Sequence, residues 1–108
     1  MVVVTRDRYV VFQVFSDSDV PSLSHIKTKI WGEFQRLFGI SGTTGAGLFF
    51  DHFEEQKSTG IIRCEHKALS KLMTILSLIT DVEGRNIILI PLYVTGLINK
   101  AKSYLGAL

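Results

Sequence analysis

The chain has 108 residues, a formal net charge of +2 and a hydrophobic content of 46%. That is enough for one compact domain, too short for two, and too apolar for a disordered tail or a low-complexity linker. The single cysteine excludes an internal disulfide, leaves too few ligands for a zinc cluster, and makes a reducing, cytoplasmic setting the default expectation.

Arg8–Ser16 carries Tyr9, Val10, Val11, Phe12, Val14 and Phe15, interrupted only by Gln13. A strand that is apolar at both parities is covered on both faces, which places it centrally in a sheet. Ser16-Asp17-Ser18-Asp19 with Pro21 reads as a turn. Ser22–Phe38 reads as a helix: Leu23, Ile26, Ile30, Phe34 and Leu37 recur at helical spacing, with Ser22 as N-cap and Gly39 as the residue that ends it. Four glycines between Gly39 and Gly47 predict a mobile loop. Gly47–Glu54 and Thr59–Cys64 form a hairpin through Glu55-Gln56-Lys57-Ser58.

His66–Thr80 predicts a second helix whose polar stripe is Lys67, Ser70, Lys71, Thr74 and Ser77. After a turn at Glu83–Asn86, Ile87–Val94 reads as a fourth strand. Pro91 cannot donate to a ladder, so this strand lies at an edge or carries a bulge there. A last helix runs from Gly96 to about Leu105, capped by Thr95. Leu97, Ile98, Ala101, Tyr104 and Leu105 lie on one face of it, and Asn99, Lys100 and Lys102 on the other.

The order is therefore β-α-β-β-α-β with an added C-terminal helix. We expect a single α+β domain over residues 1–108, a ferredoxin-like (βαββαβ) antiparallel sheet in the order 4-1-3-2. Its two helices cover one face of the sheet. The two-faced first strand requires a second cover, either the C-terminal helix or another protein chain. The opening Met1-Val2-Val3-Val4 meets Arg6-Asp7-Arg8 at once, so no signal peptide is expected. No apolar run reaches the roughly 20 residues of a membrane span, and no membrane partner is expected.

The residues argue against independent catalysis. His25, His52 and His66 fall in three different elements. Cys64 reads as a buried small residue of the third strand and His66 as a helix-start histidine, not as a nucleophile and its base. Asp51, His52 and Glu54 are too few convergent ligands for a hard metal. Gly42-Thr43-Thr44-Gly45-Ala46-Gly47 precedes a strand rather than a helix and lacks a following Gly-Lys-Ser/Thr, so it is no nucleotide-binding loop, although bare amides there could approach phosphates. The third strand, Thr59-Gly60-Ile61-Ile62-Arg63-Cys64, has none of the aromatics of an RNA-recognition motif, so base stacking on that strand is not expected. The basic residues are more informative. Arg6 and Arg8 open the first strand, Arg63 ends the third, Lys67 follows it, and Lys100 and Lys102 lie early in the last helix, where the dipole also favours anions. These six are the candidate RNA-binding residues, acting on phosphates.

Three stretches in register carry a resemblance: Arg8-Tyr9-Val10-Val11-Phe12, Thr59-Gly60-Ile61-Ile62-Arg63-Cys64-Glu65-His66, and Val94-Thr95-Gly96-Leu97-Ile98-Asn99-Lys100-Ala101-Lys102. Together they resemble the archaeal ribonuclease P protein component 2 family, which is shared with a protein subunit of eukaryotic ribonuclease P and ribonuclease MRP. The resemblance implies a ferredoxin-like core with extra helices. It implies a non-catalytic, RNA-binding subunit of a ribonucleoprotein whose RNA removes the 5′ leader of precursor tRNA. Magnesium is expected with that catalytic RNA, and no cofactor with the protein. The implied partners are the ribonuclease P RNA, precursor tRNA in the holoenzyme, a TIM-barrel-like component 3 subunit and a second copy of the chain. Leu97 and Asn99 depart from the family's closing motif, which usually has a small hydroxyl residue after the glycine and a basic residue two places on. The alternative expectation is a ferredoxin-like regulatory or ligand-binding module that dimerises through its sheet.

Overall fold

The computed structural model describes residues 6–108, without the side chains of residues 43 and 44. The opening Met1-Val2-Val3-Val4 lies outside the described residues. The elements run in the order β1 (Asp7–Ser16), α1 (Leu23–Gly45), β2 (Phe49–Glu54), β3 (Thr59–Glu65), a short 3₁₀ turn (His66–Ala68), α2 (Leu69–Leu78), β4 (Asp81–Val82), β5 (Arg85–Thr95) and α3 (Ile98–Gly106). The strands form one five-stranded sheet in the order β2-β3-β1-β5-β4, every neighbouring pair antiparallel.

This order differs from the expected four-strand 4-1-3-2 by an additional strand. β4 lies just before the expected turn at Glu83–Asn86, where the sequence predicts no strand. Asp81 pairs with Asn86 and Val82 with Arg85, across a two-residue turn in which Glu83 (φ 53°) and Gly84 (φ 74°) are both left-handed. Two positive φ values in a two-residue loop match the twist of a tight antiparallel hairpin. Two paired residues are too short to leave any periodicity in a sequence.

β1 holds the centre as its composition requires. Val10, Val11 and Phe12 are all fully buried, though consecutive side chains point to opposite faces. Val10, Phe12 and Val14 join Ile26, Ile30 and Phe34 of α1 and Leu72, Ile75 and Leu76 of α2 in the larger core. Val11 joins Ile61 with Ala101 and Leu105 of α3 in the smaller one. The second cover is thus the C-terminal helix.

Two bulges adjust the alternation. In β2 the register shifts between Phe50 and His52, so Phe50 and Phe53, an odd number of residues apart, both pack on the larger core. In β5 Val11 pairs with Tyr93 but Phe12 with Pro91, which leaves Leu92 as the extra residue. The bulge stands beside the residue that lacks an N–H, and it turns Tyr93 onto the α3 face. β5 is an edge strand beyond its first two residues, because β4 pairs only with Arg85 and Asn86.

The first helix starts as expected. The Ser22 carbonyl accepts from the backbone N–H groups of His25 and Ile26, each at 3.1 Å. Gly39 does interrupt it, with φ 74° and ψ 177°, but helix resumes and runs to Gly45. The expected loop from Gly39 to Gly47 is therefore largely helical, since one left-handed residue redirects the chain without unwinding the residues beyond it. The second helix is shorter than expected, opening as a 3₁₀ turn at His66 and ending at Leu78.

Gly60 shows why β3 carries a glycine. It pairs with Phe12 on one side and Phe53 on the other, and those two rings stack with centroids 6.2 Å apart. A Cβ at this position would lie 2.8 Å from the His52 carbonyl oxygen, 2.9 Å from Phe53 Cδ2 and 3.0 Å from Phe12 Cε1. The backbone oxygen cannot move aside. Gly60→Ala should therefore destabilise the domain by about 1–3 kcal/mol, the usual cost of overpacking, read as a lower denaturation midpoint at unchanged m-value.

Candidate nucleic-acid interface

β1 begins, and β3 and β5 end, at the same end of the sheet: Asp7 pairs with Glu65, and Tyr9 with both Arg63 and Thr95. Arg6 is exposed just before β1, and its carbonyl accepts from His66 N–H at 2.7 Å, which ties it to the 3₁₀ turn carrying exposed Lys67. That turn is capped by Glu65, whose carboxylate accepts from Lys67 N–H at 3.0 Å. Arg8 is half-buried. Its guanidinium donates to the Asp7 carbonyl at 3.0 Å and rests against Gly96, where a Cβ would come within 2.9 Å of Nη1. The missing side chain at Gly96 thus makes room for Arg8 at the entrance to α3.

Thr95 does not cap α3 in the expected position. Its hydroxyl accepts from Leu97 N–H at 3.2 Å, while Leu97 itself occupies the cap without a side-chain bond. The helix then begins at Ile98, with Lys100 in its first turn. This end of the sheet therefore carries Arg6, Arg8, Arg63, Lys67 and the start of α3 with Lys100, although Arg8 shares the face of Cys64 and Arg63 the opposite, α3 face. Lys102 is set apart. It lines a cleft of about 370 Å³ with His52, Glu54, Lys57, Leu105 and Gly106, whereas Lys100 lines a shallow groove with Tyr93, Asn99, Ser103 and Tyr104. The two lysines face opposite flanks of α3.

Among the described residues, two of the lysine and arginine side chains form carboxylate ion pairs, and Lys27, Lys57, Lys71 and Arg85 form none. Lys29 and Arg36 of α1 pair with carboxylates: Arg36 binds Glu33 at 2.7 Å, and Lys29 lies 4.0 Å from Glu33 and 3.9 Å from Asp81. The Arg36 hydrogen bond lowers the Glu33 carboxyl from its ordinary value. Among the described residues, none of Arg6, Arg8, Arg63, Lys67, Lys100 and Lys102 forms an ion pair.

Sequence reading missed the aromatic side of this surface. Arg63 lies over the Phe49 ring, 4.9 Å from its centroid, and Tyr93 stacks on Tyr104 at 4.7 Å with 9° between the planes. No motif signals either contact. Phe49 meets Arg63 through strand register, and Tyr93 reaches Tyr104 through the bulge at Leu92.

Nothing here assembles a catalytic constellation. Cys64 points into the larger core while His66 is exposed, because the strand ends at Glu65 and His66 opens the 3₁₀ turn. Among the described residues no three His, Cys, Asp or Glu side chains are placed to hold a metal ion. No helix among them is long and apolar enough to cross a membrane.

Residues 8–106 match the model of the Rpp14/Pop5 family. The chain belongs to that family. It is 32% identical over 97 residues to the ribonuclease P protein component 2 of Pyrococcus abyssi, covering 90% of this chain and 81% of that protein. The component 2 protein of Archaeoglobus fulgidus is 34% identical over 101 residues, covering 91% and 86%. In structure, the chain is similar to one in the cryo-EM structure of yeast ribonuclease MRP, with a TM-score of 0.70, 13% identity, and coverage of 99% of this chain and 91% of that one. At that identity the likeness speaks for the fold.

Burial pushes the Cys64 thiol up to about 11, and the Glu65 and Asp7 carboxylates add to the shift. The thiolate is the reactive species. In this Rpp14/Pop5 family member, native Cys64 should resist a maleimide at neutral pH and react promptly once denaturant opens the core, as followed by intact mass.

Proposed function

We propose that this chain is a non-catalytic, RNA-binding protein subunit of ribonuclease P, supporting the catalytic RNA as it removes the 5′ leader of precursor tRNA. The observation that carries this reading is the near full-length match to the Rpp14/Pop5 family and its component 2 proteins. Five cations toward one end of the sheet, with Lys102 on the opposite flank of α3, supply a physical means. Arg6, Arg8, Arg63, Lys67, Lys100 and Lys102 lower the repulsion between phosphates that the folded RNA brings together. This is a sequence-independent role that releases counterions. The protein contributes no general acid or base, and magnesium acts with the RNA.

We read the sheet as a ferredoxin-like βαββαβ core to which β4 is appended at the edge. The partners in this reading are the ribonuclease P RNA, precursor tRNA in the holoenzyme, a TIM-barrel-like component 3 subunit and a second copy of the chain, in the cytoplasm. A module that dimerises through its sheet was motivated by the two-faced first strand. α3 packs over that second face and supplies the cover internally.

The test is reconstitution with the ribonuclease P RNA and companion protein subunits of the same organism. Wild-type chain should raise precursor-tRNA cleavage over the RNA with the other subunits alone. Replacing Lys100→Glu with Lys102→Glu should weaken RNA binding while leaving the thermal transition in place. Each lost phosphate contact should flatten the log–log salt dependence by roughly 0.7–0.9. Unchanged binding and unchanged cleavage would remove the assignment.

A further inference from the structure

The sheet face beneath α3 is not covered over its full width. α3 packs on Val11 of β1, Ile61 of β3 and Tyr93 of β5, leaving β2 at the margin. On that margin Phe49, Arg63 and Tyr9 form one cross-strand row, since Phe49 pairs with Arg63 and Arg63 with Tyr9. Tyr9 packs against the α3 core, which fixes the row on this face. Phe49 remains 50% exposed, so its ring is accessible from solvent. Arg63 lies over its ring and has no carboxylate partner among the described residues. Farther along β2, His52 shares the face, and beyond it Lys57 and Lys102 line the cleft at the end of α3. Among the described residues, Glu54 is the one acidic side chain lining that cleft, and Lys57 donates to the Leu108 backbone oxygen at 2.6 Å, which leaves Lys102 as its free cation.

We propose that this margin is a seat for an unpaired nucleotide, with the base stacked on Phe49 and the adjoining phosphates held by Arg63 and Lys102. The proposal rests on the reading of the chain as an RNA-binding subunit, and adds that the RNA is single-stranded where it meets β2. An exposed ring stacks on any base through its π face, and a guanidinium beside it serves both ring and phosphate. A duplex offers no free base face, so cations alone would have sufficed for it. A protein partner would need to bring a carboxylate to Arg63 and to leave Lys102 solvated, so charge complementarity favours nucleic acid.

The experiment measures binding of the full chain to an unstructured oligouridine, to a blunt RNA duplex and to the ribonuclease P RNA of its own organism across a salt series. Wild-type chain should prefer oligouridine over the duplex. Phe49→Leu, which keeps an apolar side chain but removes the π face, should weaken oligouridine binding about tenfold with an unchanged salt slope. Phe49→Trp should retain it, and ultraviolet cross-linking should join residue 49 to an unpaired nucleotide of the ribonuclease P RNA. Wild-type affinity in Phe49→Leu, with weakened binding in the Lys100→Glu, Lys102→Glu chain, would overturn the stacking seat and leave the RNA-subunit reading intact. No effect from either set would remove both. Intact RNA binding by Phe49→Leu with lost assembly onto companion subunits would make this margin a protein interface and overturn the proposal. Should Phe49→Leu fail to fold, the wild-type preference and the cross-link decide, and absence of both overturns it.

Discussion

The structure depends on one strand being buried from both sides. Val10, Phe12 and Val14 face α1 and α2, while Val11, between them in sequence, faces α3. Burying a large aliphatic or aromatic side chain contributes about 1.5–3 kcal/mol, so neither set can be exposed without losing much of a small domain's margin. The layers are a result of this. A helix pair on one side of β1 obliges a third element on the other, and α3 is amphipathic in the phase that supplies it. A one-residue slip of β1 would exchange Val11 with its neighbours and misplace both layers together.

Much of this was legible in the residues. The apolar run from Tyr9 to Phe15 forced a central strand, and Pro91 forced an edge or a bulge. The bulge at Leu92 and the largely unpaired outer side of β5 meet those requirements together. The short β4 was not legible, because two paired residues carry no period, and so the strand order differed from expectation. The glycine-rich stretch after Phe38 misled for a related reason. Glycine marks where the chain can turn, and Gly39 does turn it, but nothing local says whether a helix resumes beyond.

The interface divides in the same way. Which basic residues lie at strand and helix ends is legible in the sequence, because that is a local property. Their partners are not. That Arg36 is engaged by Glu33 while Arg63 is left to a phenyl ring depends on helix spacing in one case and strand register in the other. Lys100 and Lys102, two residues apart, are equivalent on paper only if the helix is ignored. About 200° of rotation separates them, and they line different hollows.

The placement of α3 has a consequence for when the chain becomes competent to act. Its seat is made from β1, β3 and β5, and the β1–β5 pairing joins residues near opposite ends of the chain, such as Tyr9 and Thr95. A helix of this length does not persist alone in water, so α3 has no stable place until the distant strands have met. The groove beside Lys100 is therefore a property of the completed fold, whereas the Phe49–Arg63 contact belongs to the local β2–β3 hairpin. A ligand that holds both binds the native state alone and draws the folding equilibrium toward it by mass action. The same geometry that delays assembly of the surface makes its occupant a selective stabiliser of the finished protein.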